Sequence, residues 1–145
     1  MKAFLQAWLF WAMLSAGFAA LTAIFAKIGV AGVNSDLATF LRTLVIVVVL
    51  AVLLTWLGEW RPLNEIGPRT YLFLTLSGLA TGASWLCYFR ALQIGDAARV
   101  APIDKLSVVL VAVFGVAFLG EKLSSANWLG VALIAAGATL VAYRG

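Results

Sequence analysis

Histidine is absent from the 145 residues, and cysteine occurs once, at Cys87. A lone thiol forms no intramolecular disulfide, and without imidazoles or further thiols the usual zinc-type sites are excluded, so no metal and no cofactor are expected. Charge is scarce too. Asp, Glu, Lys and Arg make up 11% of the chain, against about 25% in soluble domains, which is too little ionic surface to keep a compact object monomeric in water. The 10 basic and 6 acidic residues leave a net charge of +4, but the cations are scattered among apolar runs and form no continuous basic patch. Nucleic acid is therefore excluded as a partner. With no histidine and no nucleophile arrangement, no catalytic residue is identified and an enzyme is not expected.

What the chain does contain is apolar. Hydrophobic residues account for 64% of it before its 13 glycines are counted, whereas soluble domains reach about 45–50% with glycine included. Uncharged runs cover residues 3–26, 43–58, 70–89, 106–120 and 123–143. Crossing about 30 Å of hydrocarbon takes about 20 helical residues, and an unsatisfied peptide group in lipid costs several kcal/mol, so the shorter runs must recruit their flanks. Helices are expected at residues 5–28, 37–57, 70–92, 99–120 and 125–143. The fold class is all-α, a polytopic membrane helix bundle with five transmembrane helices per chain, in one domain over residues 1–145. The first run is too long for the roughly 7–15-residue core of a cleaved signal peptide and reads as a retained helix.

The connections carry the expected breakers. Gly29, Gly32, Asn34, Ser35 and Asp36 separate the first two helices, with Ser35 or Asp36 as the expected N-cap. Residues 58–69 hold Pro62 and Pro68, flanked by Trp56, Trp60 and Tyr71 as interface anchors. Residues 93–100 supply the third turn, and Pro102 is placed in the first turn of the fourth helix. Ser124, Ser125 and Asn127 open the fifth helix, and Trp128 marks its interface. Leu57-Gly58-Glu59 and Leu119-Gly120-Glu121 repeat one pattern at two helix ends, which reads as helix-end chemistry.

Assigning the N-terminus and alternate loops to one side gives it Lys2, Arg61, Arg69 and Lys122; the other side holds Lys27, Arg42, Arg90, Arg99, Lys105 and Arg144. So slight a bias permits insertion in either direction, and two opposed protomers would make an approximately two-fold body suited to alternating access. A single fixed orientation aided by a partner fits the same charges.

The informative segment is residues 90–107, RALQIGDAARVAPIDKLS. Asp104 and Lys105 fall about 8–9 Å along a helix that starts near Arg99. Ionisable groups at such depth face a bundle interior, a watery cavity or one another. Asp104 is a candidate coupling carboxylate or a structural ion-pair member, with Lys105, Lys27, Arg42 or Arg90 as possible partners. Lys105 reads as a counter-ion to solute or as a snorkelling cation, and Arg99, Arg90, Lys27 and Arg42 as interfacial cations or pathway residues. Trp85 and Tyr88 are candidate pathway aromatics. Gly78 and Gly82 on the third helix, Gly115 on the fourth and Gly130 and Gly137 on the fifth are helix-packing positions, the last two on a seam suited to a protomer contact.

Over roughly residues 4–143 the chain resembles a single five-helix EamA-type domain of the drug/metabolite transporter superfamily, most closely at WLCYFRALQIGDAARVAPIDKLSVVLVAVFGVAFLGEKLS, residues 85–124. That resemblance implies an inner-membrane exporter or exchanger; members commonly carry two such domains, so one domain implies a dimer. It makes Trp85, Tyr88 and Ala91 cavity or helix-contact positions, brings residues 98–105 into the membrane near the cavity, and has Glu121 and Lys122 stabilise the end of the fourth helix. Unlike the related small multidrug resistance proteins, the first helix has no embedded glutamate, which argues against their shared-carboxylate export of cationic drugs.

The function expected is a membrane transporter of small organic metabolites, zwitterionic or anionic, working as an oligomer by alternating access in the bacterial cytoplasmic (inner) membrane. Its partners would be membrane lipid, the solute and a second copy, parallel or antiparallel, in a homodimer. A noncatalytic membrane assembly or accessory subunit is the alternative.

Overall fold

The computed structural model describes residues 2–143, with the side chains of residues 2–7 and of Leu63 left aside. Arg144 and the side chain of Lys2, both used in the charge comparison, lie outside the described residues. Every regular element among them is helical: α1 (Lys2–Gly29), α2 (Ser35–Leu57), a 3-10 turn (Leu63–Glu65), α3 (Pro68–Ile94), α4 (Ala97–Asp104), α5 (Ser107–Leu119) and α6 (Ser125–Ala142). They provide five spans long and apolar enough to cross a membrane: Trp8–Gly29, Ser35–Leu57, Pro68–Ile94, Ala97–Leu119 and Ser125–Ala142. The shortest has 18 residues, about 27 Å at 1.5 Å per residue, close to the hydrocarbon thickness. Large apolar side chains, among them Phe18, Val48, Leu79 and Leu133, are exposed along these spans. In water that surface would be prohibitive; in lipid it is ordinary.

The helix ends follow local chemistry. The N-cap of α2 is Asn34, one residue before the expected pair, because its Oδ1 accepts from the backbone N–H groups of both Asp36 (2.9 Å) and Leu37 (3.1 Å). Asp36 then falls in the first turn, where the helix dipole favours a carboxylate. Pro68 opens α3 at the position where a missing N–H costs nothing. Ser124 and Asn127 form a reciprocal capping box at α6. The repeated Leu-Gly-Glu pattern does stop two helices: Gly58 and Gly120 take left-handed φ values of 67° and 69°. The first is a Schellman ending, with Gly58 N–H on the Thr55 carbonyl (3.3 Å) and Glu59 N–H on that of Leu54 (3.0 Å).

The chain divides into two compact units, residues 26–93 and residues 1–25 with 94–145. The first contains the end of α1 together with α2 and α3. Its tightly buried cluster is Ala26, Val30, Ser35, Thr39, Phe89 and Leu92. Lipid supplies no hydrophobic drive between helices, so packing and polar ties must hold them. Two such ties are present: Lys27 Nζ donates to the Leu92 carbonyl at 2.6 Å, and Gln93 Nε2 to that of Val33 at 2.9 Å. In the second unit α6 packs against α4 and α5.

A broken span and an aromatic-clamped arginine

The fourth span is two helices, where an unbroken one over residues 99–120 is expected from hydropathy. α4 begins at Ala97, so Pro102 falls in the second turn and not the first. There its nitrogen has no hydrogen for the Ala98 carbonyl, and its ring crowds that group. After it, Leu106 N–H bonds the Ile103 carbonyl, Val108 that of Lys105 and Val109 that of Leu106, each at 3.0 Å. These are tight i to i−3 steps; the regular spacing resumes with Leu110 on Leu106 at 3.3 Å. The backbone stays right-handed helical at Lys105 (φ −70°, ψ −7°) and Leu106 (φ −60°, ψ −18°), so α4 passes into α5 through a tight turn inside one membrane span.

Asp104 is the last residue of α4 and Lys105 its C-cap. Among the described residues the ion pair formed here is their own, Nζ to Oδ2 at 3.2 Å, with side chains 56% exposed for Lys105 and 34% for Asp104. Within its own unit Asp104 pairs with its neighbour. The pair lies about 11 Å along the span from Ala97, slightly deeper than expected. Arg99 is half-buried on α4. These three predicted site residues share one unit.

Lys27, Trp85, Tyr88 and Arg90 belong to the other unit. Lys27 is committed to the last turn of α3, where its ammonium meets a carbonyl left over by the helix end. Arg90 is exposed and Tyr88 half-buried. Trp85 carries the feature that sequence reasoning missed: the guanidinium carbon of Arg42, on α2, lies 4.2 Å from the Trp85 ring centroid and 5.2 Å from that of Phe89. Arg42, treated in the sequence as one more helix-end cation, is half-buried between α2 and α3. The i, i+4 spacing of Trp85 and Phe89 was the available signal for an aromatic face; nothing in the sequence said which cation would cover it.

A groove of about 580 Å³ runs between the same two helices, lined by Asp36, Thr39 and Thr43 of α2 and by Ser77, Thr81 and Trp85 of α3. The threonine hydroxyls donate back to carbonyls one turn earlier: Thr39 to Ser35, Thr43 to Thr39 and Thr81 to Ser77, each at 2.8 Å. Their oxygens remain able to accept. Gly78 and Gly82 also line this groove, and within the unit the space where their Cβ atoms would stand is open. The same holds within their own unit for Gly130 and Gly137 on α6. At Gly115 a Cβ would come within 2.5 Å of the Glu121 carboxylate, which folds back over the buried glycine. No group of three or more metal-ligating side chains gathers among the described residues.

Five apolar spans, one interrupted beside an ion pair, define an integral membrane protein. The chain belongs to the EamA-like transporter family, which matches it over residues 6–143. It is 68% identical over 137 residues to a protein of Sinorhizobium sp named "Uncharacterized transporter in cobO 3'region", a match that covers 94% of this chain and 97% of the relative. No solved structure matches it. The protein is thus a membrane transporter, and its family points away from an enzyme.

Proposed function

We propose that the chain carries small organic metabolites, zwitterionic or anionic, across the bacterial cytoplasmic (inner) membrane, working as a homodimer by alternating access. The observation that carries this reading is the interruption of the fourth span at Asp104 and Lys105. A stretch of 3-10 turn within a helix marks a place where the span can bend, and ionisable groups at such depth face a watery cavity, a partner or a solute. An adjacent carboxylate and ammonium offer both complements that a zwitterion needs. Arg99 in the same unit weighs against a simple cation. Lys27 contributes less to that bias than its charge suggests, since its ammonium already serves the end of α3.

Five spans gain a second wall from another copy, and the slight charge asymmetry between sides suits an antiparallel as well as a parallel pair. The Sinorhizobium relative supports a bacterial setting. The test is counterflow in proteoliposomes holding only this chain, with radiolabelled leucine, glutamate, succinate and choline. Saturable exchange of the zwitterion or the anions, with choline slowest, is expected. Failure of every solute would favour an accessory membrane subunit, and choline as the best substrate would overturn the charge preference.

A further inference from the structure

Arg42 stands seven residues into α2, about 10 Å along a membrane-spanning helix. A cation at that depth is costly unless something offsets its charge. Its offset here is aromatic: Trp85 and Phe89 hold the guanidinium within cation–π distance. No carboxylate among the described residues pairs with it; the ion pair found there is that of Lys105 with Asp104. Nor is it sealed away, since its side chain is only half-buried. An arginine whose charge is offset by rings and not by a carboxylate can still donate to a carboxylate ligand, whose two oxygens its fork of N–H groups matches. Trp85, the ring beneath it, also lines the groove between α2 and α3, where Phe40, Leu74 and Leu86 give a mostly apolar wall beside the serine and threonine hydroxyls.

We propose that Arg42 is the anion-recognition residue of this unit: the carboxylate of an organic anion or zwitterion docks on the edge of its guanidinium, and the adjoining groove takes the rest of the molecule. This rests on the reading of the protein as a metabolite carrier and goes beyond it, since Arg42 is a contact for the solute additional to the one at the fourth span. Trp85 and Phe89 are positioning residues that keep the fork presented. The same geometry gives the chain its bias against organic cations, because the aromatic face a quaternary ammonium would need is already covered by the protein's own guanidinium.

The test is equilibrium dialysis of nanodisc-embedded full-length protein against radiolabelled benzoate, benzamide and benzyltrimethylammonium. Wild type should bind benzoate saturably and its neutral isostere benzamide more weakly. Arg42→Gln should lose at least about tenfold in benzoate affinity, the worth of one charge-assisted contact, and Arg42→Lys should recover only part of it. Arg42→Ala should gain binding of benzyltrimethylammonium, a readout that a misfolded variant does not produce. Benzoate affinity unchanged in Arg42→Gln, or absent from a wild type that still counterflows a solute, overturns the proposal and leaves the carrier reading standing. Arg42-dependent benzoate binding by a chain that exchanges nothing keeps this site and removes the carrier reading.

Discussion

Lys27 and Leu92, 65 residues apart in sequence, are joined by a 2.6 Å hydrogen bond from the ammonium to the backbone carbonyl. The bond closes one unit at the ends of α1 and α3, and it places a cation where the α3 dipole is negative. Lys27→Met should therefore lower stability by about 1 kcal/mol, and Lys27→Arg by less. Thermal unfolding in detergent checks this, with a fall of about 2–4 °C expected for the methionine variant. A variant as stable as wild type would show that the ammonium contributes nothing to the helix end.

The glycines separate by conformation and space. Gly58→Ala and Gly120→Ala force a Cβ into a left-handed backbone at φ 67° and 69° and should cost about 1–2 kcal/mol each. Gly78→Ala enters open space within its unit and should cost the isolated chain less than about 0.5 kcal/mol. If Gly78→Ala or Gly82→Ala instead weakens self-association, measured by single-molecule photobleaching in bilayers, that groove is where a second copy sits.

Pro102→Ala returns an N–H to the Ala98 carbonyl and permits α4 to run on into α5. The variant should be more thermostable and exchange solute at least about tenfold more slowly, the pattern of a functional break. Faster exchange, or lower stability, would mean that Pro102 relieves strain.

Asp104→Asn removes the carboxylate of the pair with Lys105 while keeping its shape. Uptake driven by an imposed pH gradient should disappear, with counterflow and membrane insertion retained. Gradient-driven uptake that survives the substitution assigns coupling elsewhere.

Gly130→Cys and Gly137→Cys, in a Cys87→Ser background, should form a disulfide-linked dimer under mild oxidation if α6 is the contact between protomers. Monomer alone at both positions would move the interface off that seam.

The five spans were legible because lipid leaves backbone polar groups no choice but the helix, so uncharged length alone counts them. The loops were legible to within a residue or two wherever Gly, Pro, Asn or Ser dictated the turn. The interruption at residues 105–106 was not. A span of membrane length has to take in Asp104 and Lys105 as the flank of the uncharged run 106–120, and a helix start at residue 99 puts Pro102 in a harmless first turn. Asp104 and Lys105 stood out because charge at membrane depth is rare, but the choice of partner depended on where the helix breaks. Lys27 and Arg42 had the same signature, a cation near a helix end. One caps a carbonyl of α3 and the other lies on Trp85 and Phe89, a difference set by helix–helix placement that no local spacing encodes.

Contact between the solute and the fourth span at its tight turn is tested most directly by thiol labelling. In the Cys87→Ser background, Leu106→Cys at the break and Val113→Cys within α5 are exposed to a membrane-impermeant maleimide in sealed proteoliposomes. Leu106→Cys is expected to react well above Val113→Cys and to be protected by the solute found to counterflow. Equal, negligible reactivity at the two positions, unaffected by solute, would contradict such contact.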